Sequence, residues 1–451
     1  MSSLTFSKIT QCLVGRNGLR LLKHGRSYCT KLKENKIMKG LMNKIKATGP
    51  LTVTDYMREV LTSPSEGYYM TRDVFGQEGD FITSPEISQM FGEMIGIWFV
   101  DEWMKNKSPS PVQLVELGPG RGTLADDILR VFKNFPEINE SVSLHMVEIS
   151  PALAQIQIEK LTGENLTSEQ SSKLTDGYNS GLSDLETNDS SEKISKHYYQ
   201  CKTKYGINAY WYKLLHDVPS EHSLYLAHEF FDALPICKFQ KTADKGWCEV
   251  MIDINPDTES PNQFRFVLSP GSTPNSTGYL RHIRPGDKRE HIEVAPYSGM
   301  IILQIAERIK QNGGCALIAD YGHNGDKTDT LRSFKQHRLH DVLCDPGTAD
   351  LTADVDFSFF RHLCLSTKSI SSFGPVTQRE FLQNMGIHLR LKMLMQGKDQ
   401  ATKKTLISGF DMITNPEKMG DRFKFFAMLQ KKDYNDPPSG FNNLSFQIPV
   451  R

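Results

Sequence analysis

No run of about 18 consecutive apolar residues occurs in the 451-residue sequence, so nothing in it reads as a membrane-spanning helix, which needs about 20. No CxxC pair occurs either. The eight cysteines, at 12, 29, 201, 237, 248, 315, 344 and 364, cluster with no histidines at zinc spacing. The thirteen histidines form no HExxH or other ligand pattern, so no metal is expected. Several cysteines lie in apolar strand-like runs, as Cys315 does in CALIAD. They read as small, reduced core residues, which suits a reducing compartment. No internal repeat is visible. Acids are missing from the first 33 residues, which carry Lys8, Arg16, Arg20, Lys23, Arg26, Lys31 and Lys33. The whole chain balances 53 basic residues against 53 acidic ones, so without that leader 46 face 53, a net of −7. An acidic body argues against a general nucleic-acid binder, whose affinity comes from a basic surface that displaces counterions.

The acid-free leader is itself a signal. Residues 1–36 are basic, free of acids until Glu34 and rich in Ser and Thr, with Leu13, Leu19, Leu21 and Leu22 as apolar bulk. That is the make-up of a mitochondrial presequence. Arg26-Ser27-Tyr28 before Cys29 resembles a matrix-protease site, so the matrix is the expected location. Residues 37–110 read as an N-terminal helical region. Within it Ser84 is a candidate N-cap with Pro85 at the first helical position, and Ile87, Phe91, Met94, Ile95 and Trp98 recur at helical spacing.

Residues 111–329 read as an α/β core. Val112–Leu117 is a strand, a glycine turn follows, Thr123–Phe132 is a helix and Ser143–Ile149 is the next strand. This order is half of a doubly wound sheet. Inside it, 161–205 is polar, rich in Ser and charge, and reads as a disordered insertion. Residues 330–385 form an irregular, partly helical insertion expected on the substrate side, holding Asp345, Asp350 and Asp356. The stretch 386–451 ends the core with a last strand and a tail.

The glycine turn VELGPGRG sets Glu116 at a strand end, followed by Gly118, Gly120 and Gly122. Its GxGxG spacing differs from the dinucleotide GxGxxG fingerprint. Pro119 also removes an N–H that a pyrophosphate cradle could use. An acid plus close-approach glycines instead suit a cofactor with an amino-acid tail and an adenosine, namely S-adenosyl-L-methionine. Glu116 can hold its ammonium. Glu148, at the end of the next strand, can accept both ribose hydroxyls. HEFFDALP follows a further strand, at the edge where open α/β sheets place their ligands. There Glu229 and Asp232 can bind a guanidinium and Phe230 or Phe231 can wall it. Glu86 and Glu93 sit near the start of the N-terminal helix and can close over the cofactor or serve only the helix.

Five ordered segments, GDFITSPEISQMFGE, VELGPGRGTL, HEFFDALP, ADLTADVDF and DRFKFFAML, resemble the MidA-like mitochondrial proteins. These are arginine methyltransferases that act as assembly factors for respiratory complex I. The resemblance runs from about Gly49 to Gln430. It implies a class I methyltransferase (Rossmann-like) fold, S-adenosyl-L-methionine as methyl donor, and type II activity: symmetric dimethylation of an arginine in the 49 kDa-type core subunit of complex I. It places Gly118, Gly120 and Gly122 in the cofactor loop and Glu229 and Asp232 at the family's E-F-F-D acids. The rival of another class is a non-catalytic complex I assembly chaperone that retains a cofactor-binding fold. Nothing in the sequence fixes the oligomeric state.

Overall fold

A computed structural model describes residues 36–64, 66–70, 82–180, 196–257, 260, 262–281, 288–431 and 437–441. Residues 1–35 of the expected presequence lie outside them. The chain divides into two compact units, each assembled from separated stretches. One holds residues 82–231, 301–324 and 355–451; the other holds 1–81, 232–300 and 325–354. The contiguous division expected from the sequence is therefore corrected. The N-terminal region splits at residues 81 and 82, and part of the expected core belongs to the other unit.

The first of these units is built on a nine-stranded sheet. Its strands are β1 (Val112–Leu117), β2 (Val142–Val147), β3 (Tyr199–Lys202), β4 (Asn208–Tyr212), β5 (Ser223–His228), β6 (Gly314–His323), β7 (Val355–Asp356), β8 (Ile370–Thr377) and β9 (Phe423–Gln430). Their order is β8-β9-β6-β5-β1-β2-β4-β3, with β7 on β6. The central pairs β6–β5, β5–β1, β1–β2 and β2–β4 are parallel, and β9 runs antiparallel to β6. Strands β1 and β5 are buried along their whole length, as expected of a parallel sheet covered on both faces.

The helices bear out most of the sequence reading and correct two points of it. Ser84–Ile87 is a short separate helix, α1, with Thr83 at its N-cap and Pro85 in its first turn. Ser88 breaks the helix and its side chain caps α2 (Gln89–Lys105) by accepting from Met90 N. Ser84 is therefore inside a helix, and the cap lies four residues later. Phe91, Met94, Ile95 and Trp98 are buried on α2 as their spacing predicts. Helix α3 is Thr123–Phe132 and α4 is Pro151–Thr162. The expected disordered insertion 161–205 instead carries α5 (Ser168–Ser180) and β3. Leu174 is buried, Tyr178 Oη donates to Ile149 O at 2.8 Å, and Tyr198 Oη donates to Glu148 O at 2.9 Å. A few large side chains tie this polar stretch to the core despite its low apolar content. Residues 181–195 lie outside the described ones. Thr377 and Glu380 form both halves of the expected capping box. Two further helices, α6 (Ile387–Met395) and α7 (Gln400–Thr414), precede β9.

The other unit has an antiparallel five-stranded sheet of Leu51–Thr52, Gly246–Ile254, Cys237–Thr242, His291–Val294 and Phe264–Leu268. Helices Lys36–Thr48 and Val53–Thr62 share its core through Leu41, Ile45, Tyr56, Met57 and Val60. Residues 332–352, expected to be irregular, form a three-stranded sheet of Arg332–Lys335, Arg338–His340 and Asp350–Thr352. Among the described residues are six cysteines, none in a disulfide, and all but Cys201 are buried. Among the described residues no helix is long and apolar enough to cross a membrane.

One buried cation braces the larger unit. Arg308, in the helix Pro296–Asn312, donates to the carbonyls of Leu215 and Val218 at 2.8 and 2.9 Å, and to those of His216 and Pro219 at 3.3 and 3.2 Å. Four carbonyls of one turn thus depend on a single guanidinium. Arg308→Leu removes all of these bonds and should lower unfolding stability by about 2–4 kcal/mol in urea titration. An unchanged midpoint would show that the turn holds without it.

Candidate functional site

Parallel pairing brings three strand ends together at one sheet edge. In register, Leu117 of β1 faces Val147 of β2 on one side and Ala227 of β5 on the other. The residues just beyond these positions are Gly118, Glu148 and His228-Glu229, so sequence segments about 30 and 110 residues apart become neighbours. This is the carboxyl edge at which open α/β sheets bind ligands.

The glycine turn has the backbone that only glycine takes without strain. Gly118, Gly120 and Gly122 have φ of 60°, 55° and 74°. A Cβ at Gly118 would lie 2.7 Å from Phe230 Cδ2, so the turn also needs glycine to let the HEFF segment approach. Gly122 then caps α3.

Glu116 is buried at the end of β1, and among the described residues its Oε2 has no hydrogen-bond partner. Burial pushes its carboxyl up to about 8. Glu148 is equally buried but held. Its Oε1 accepts from Ser150 N at 2.7 Å and its Oε2 from Gln157 Nε2 at 2.9 Å. Burial still outweighs these bonds, and its carboxyl rises to about 7. Gln157 Nε2 also donates to Gly120 O at 2.8 Å, and Gln157 Oε1 accepts from Trp211 Nε1 at 2.9 Å. One side chain on α4 therefore fixes both the glycine turn and Glu148. Its position inside an unremarkable helix left no signal in the sequence.

Glu229 is a non-glycine residue at φ 49°, a conformation that costs about 1–3 kcal/mol and gathers at functional sites. Its amide donates to Ala319 O at 3.0 Å. Its Oε1 lies 3.4 Å from Nε2 of His228, whose imidazole burial pushes down to about 3. His228 is packed against Phe91 and stacked with Phe423. A neutral, immobilised imidazole thus stands beside the carboxylate. Asp320, fully buried in β6, accepts from Phe230 N and Phe231 N at 3.1 and 2.8 Å. It pins the turn that carries Glu229. The sequence reading passed over Asp320, although an acid near the end of the central strand CALIADY is a recognisable signal.

Asp232 belongs to the other unit. It is buried, and burial with nearby Asp354 raises its carboxyl to about 7 against the opposing pull of Arg332. Asp354, which the sequence reading did not single out, pairs with Lys327 and with Arg332 at 2.5 Å. Of the other acids, Asp350 accepts from Tyr69 Oη at 2.6 Å. Asp356 caps the helix Phe357–Thr367 through Ser358 N and Phe359 N. Glu86 pairs with Arg121 of the glycine turn at 3.2 Å, and Glu93 binds Arg390 at 2.8 and 2.9 Å. The sequence shows no metal-ligand spacing, yet His340, Cys344 and Asp345 bring ligand-type atoms within 4.8 Å of one another. His340 Nε2 there lies 3.2 Å from Cys344 O.

A buried acid beside a cradle of positive-φ glycines suits a cation-bearing adenosine cofactor. A family profile described as "Putative S-adenosyl-L-methionine-dependent methyltransferase" matches residues 94–376. The chain belongs to this family. It is similar to the curated protein arginine methyltransferase NDUFAF7, mitochondrial, of Rattus norvegicus, at 50% identity over 87% of this chain and 84% of that protein. The Homo sapiens protein of the same name is 45% identical over 97% of both. The homologue in Drosophila melanogaster is 48% identical over 87% and 84%. The fold matches a Burkholderia thailandensis protein crystallised with S-adenosyl-homocysteine, at a TM-score of 0.68 and 21% identity over 88% of this chain and 92% of that one. The family member described here is an S-adenosyl-L-methionine-dependent methyltransferase of α/β fold.

The raised Glu116 carboxyl makes a stability prediction for the cofactor-free protein. Its folded value of about 8 lies above its ordinary 4.5, so folding favours the protonated form. The stabilisation is complete below about pH 4.5 and is lost as pH rises through about 8. Glu116→Gln keeps the neutral form at every pH. Urea unfolding should find the variant and wild type similar at pH 5, and the variant more stable by about 2–4 kcal/mol at pH 9. Parallel pH profiles for the two proteins would contradict a buried, protonated Glu116.

Proposed function

We propose that this chain is a type II protein arginine methyltransferase of the mitochondrial matrix. Its substrate is an arginine in the 49 kDa-type core subunit of respiratory complex I, dimethylated symmetrically in support of complex assembly. The observation that carries the reading is Glu229: a carboxylate held in strained backbone at the sheet edge, next to the glycine turn and beside a neutral histidine. The names of the relatives, which include arginine methylation and mitochondria, support it, as does the acid-free basic leader.

S-adenosyl-L-methionine, when bound, supplies a methyl group made electrophilic by its sulfonium. Gly118, Gly120 and Gly122 would admit the cofactor backbone-close, Glu116 would hold the ammonium, and Glu148 the ribose hydroxyls. Gln157 keeps Glu148 aimed from below. A guanidinium has a pKa above 12 and arrives protonated. Glu229 receives that cation, draws its charge away from the attacking nitrogen and accepts the proton which that nitrogen loses on methylation. The pinning of Phe230 and Phe231 by Asp320 holds this carboxylate at one angle, so orientation is set before substrate arrives. Asp232 ranks second as the acid, since Arg332 already offsets its charge.

Glu229→Gln keeps the side chain's size and loses its charge. Losing a charge-assisted contact in the transition state costs about 2–4 kcal/mol, roughly 30- to 1,000-fold in rate. Mass spectrometry of the purified 49 kDa-type subunit after incubation should show that loss, while calorimetry shows unchanged S-adenosyl-L-methionine affinity. Methylation at the wild-type rate would remove Glu229 from the chemistry. Tight cofactor binding by the wild type with no methyl transfer would identify an assembly chaperone instead.

A further inference from the structure

The helix pair α6–α7 leaves apolar side chains in water. Of nine residues in α6 only Ile387 is buried. Leu389 and Met393, one turn apart, are 65% and 53% exposed, and Ile407 of α7 is 49% exposed. Apolar groups left in water forfeit the free energy of burial, and contiguous ones mark interaction surfaces.

The same segment is basic. Lys392, Lys398, Lys403 and Lys404 fall within it, and among the described residues none of the four has an ion-pair partner. The one acid between residues 387 and 407 is Asp399, whose carboxylate caps α7 by accepting from Thr402 N and Oγ1. A cationic, apolar face thus stands on a chain whose body, without the leader, carries a net of −7. Its charge complements an acidic partner.

This face is fastened to the site within one unit. Arg390 of α6 holds Glu93 of α2 with two bonds of 2.8 and 2.9 Å. Gly409 of α7 packs so close to the backbone of Ile87 in α1 that a Cβ there would lie 3.1 Å from its carbonyl oxygen. Glu86 of α1 in turn pairs with Arg121 of the glycine turn.

We propose that the α6–α7 face docks an acidic, amphipathic segment of the protein substrate and so presents its arginine to the site. The proposal rests on the reading of the chain as a protein methyltransferase. A protein partner fits better than a bilayer. The exposed apolar groups are few, the unbranched side chain of Met393 adapts to a protein surface, and no Trp or Tyr, the residues that anchor helices at membrane interfaces, occurs between 387 and 414.

The test uses the full chain without its leader and the purified 49 kDa-type core subunit as probe. Two variants are compared with wild type, Leu389→Asp with Met393→Asp, and Lys403→Glu with Lys404→Glu. Both should bind the subunit at least tenfold more weakly by biolayer interferometry and show a KM raised by a similar factor. The kcat at saturation and the calorimetric affinity for S-adenosyl-L-methionine should stay as in wild type. Raising the salt should weaken wild type toward the lysine variant. Subunit binding unchanged in both variants overturns the proposal, as does a wild type that ignores the subunit and floats with phosphatidylglycerol vesicles. A wild type that binds the subunit through this face yet transfers no methyl supports the docking surface and defeats the catalytic reading alone.

Discussion

A buried carboxyl with one oxygen unmatched among the described residues is the constraint around which the larger unit is arranged. Taking an ionised carboxylate out of water is among the most costly things a fold can do. Glu116 nevertheless sits at the end of the central strand with one oxygen unmatched among the described residues, and it answers by holding its proton to about pH 8. Packing alone would favour an apolar residue at this place. A cationic ligand group that arrives there finds a partner already desolvated and fixed, in surroundings where the pairing is strong.

The rest of the edge supports that arrangement through few contacts. Gln157 joins the glycine turn to Glu148, and Asp320 joins the end of β6 to the amides after Glu229. Gln157 acts on backbone and side chains and Asp320 on backbone amides, so the cofactor side and the substrate side are each locked from behind. Phe230 fills the space that a side chain at Gly118 would need. The two sides are therefore coupled: a larger residue in the turn would displace the segment that carries Glu229.

Much of this was legible in the sequence, for physical reasons. Strands β1 and β5 are buried along their whole length and β6 along nearly all of it, and such strands appear as apolar runs bounded by turn residues. The glycine turn announced itself because positive φ demands glycine three times in five residues. Residues 332–352 were missed because their strands are three or four residues long and polar, paired only through local register such as Phe334 with Leu339. The helix Ser168–Ser180 was missed because Leu174, Tyr178 and Tyr198 are too sparse to form a pattern. Glu229 and Asp232 look like a pair three residues apart, yet the boundary between the two units falls between Phe231 and Asp232. Chain proximity gave no hint of that division. Gln157, Asp320 and Asp354 act through partners 9 to 122 residues away, and no spacing rule reports such pairings.

The most direct measurement is proton release on cofactor binding. Titration calorimetry with S-adenosyl-L-methionine at pH 6.5, run in two buffers of different ionisation enthalpy, reads it without any protein substrate. With a carboxyl at about 8 in the free protein, Glu116 is protonated at that pH and must lose its proton to face an ammonium. The expected result is a clear release of protons, affinity that rises from pH 6 to 7.5, and loss of most of both effects in Glu116→Gln. Tight binding with no proton release, and the same affinity across that range, would show that Glu116 does not receive the ammonium.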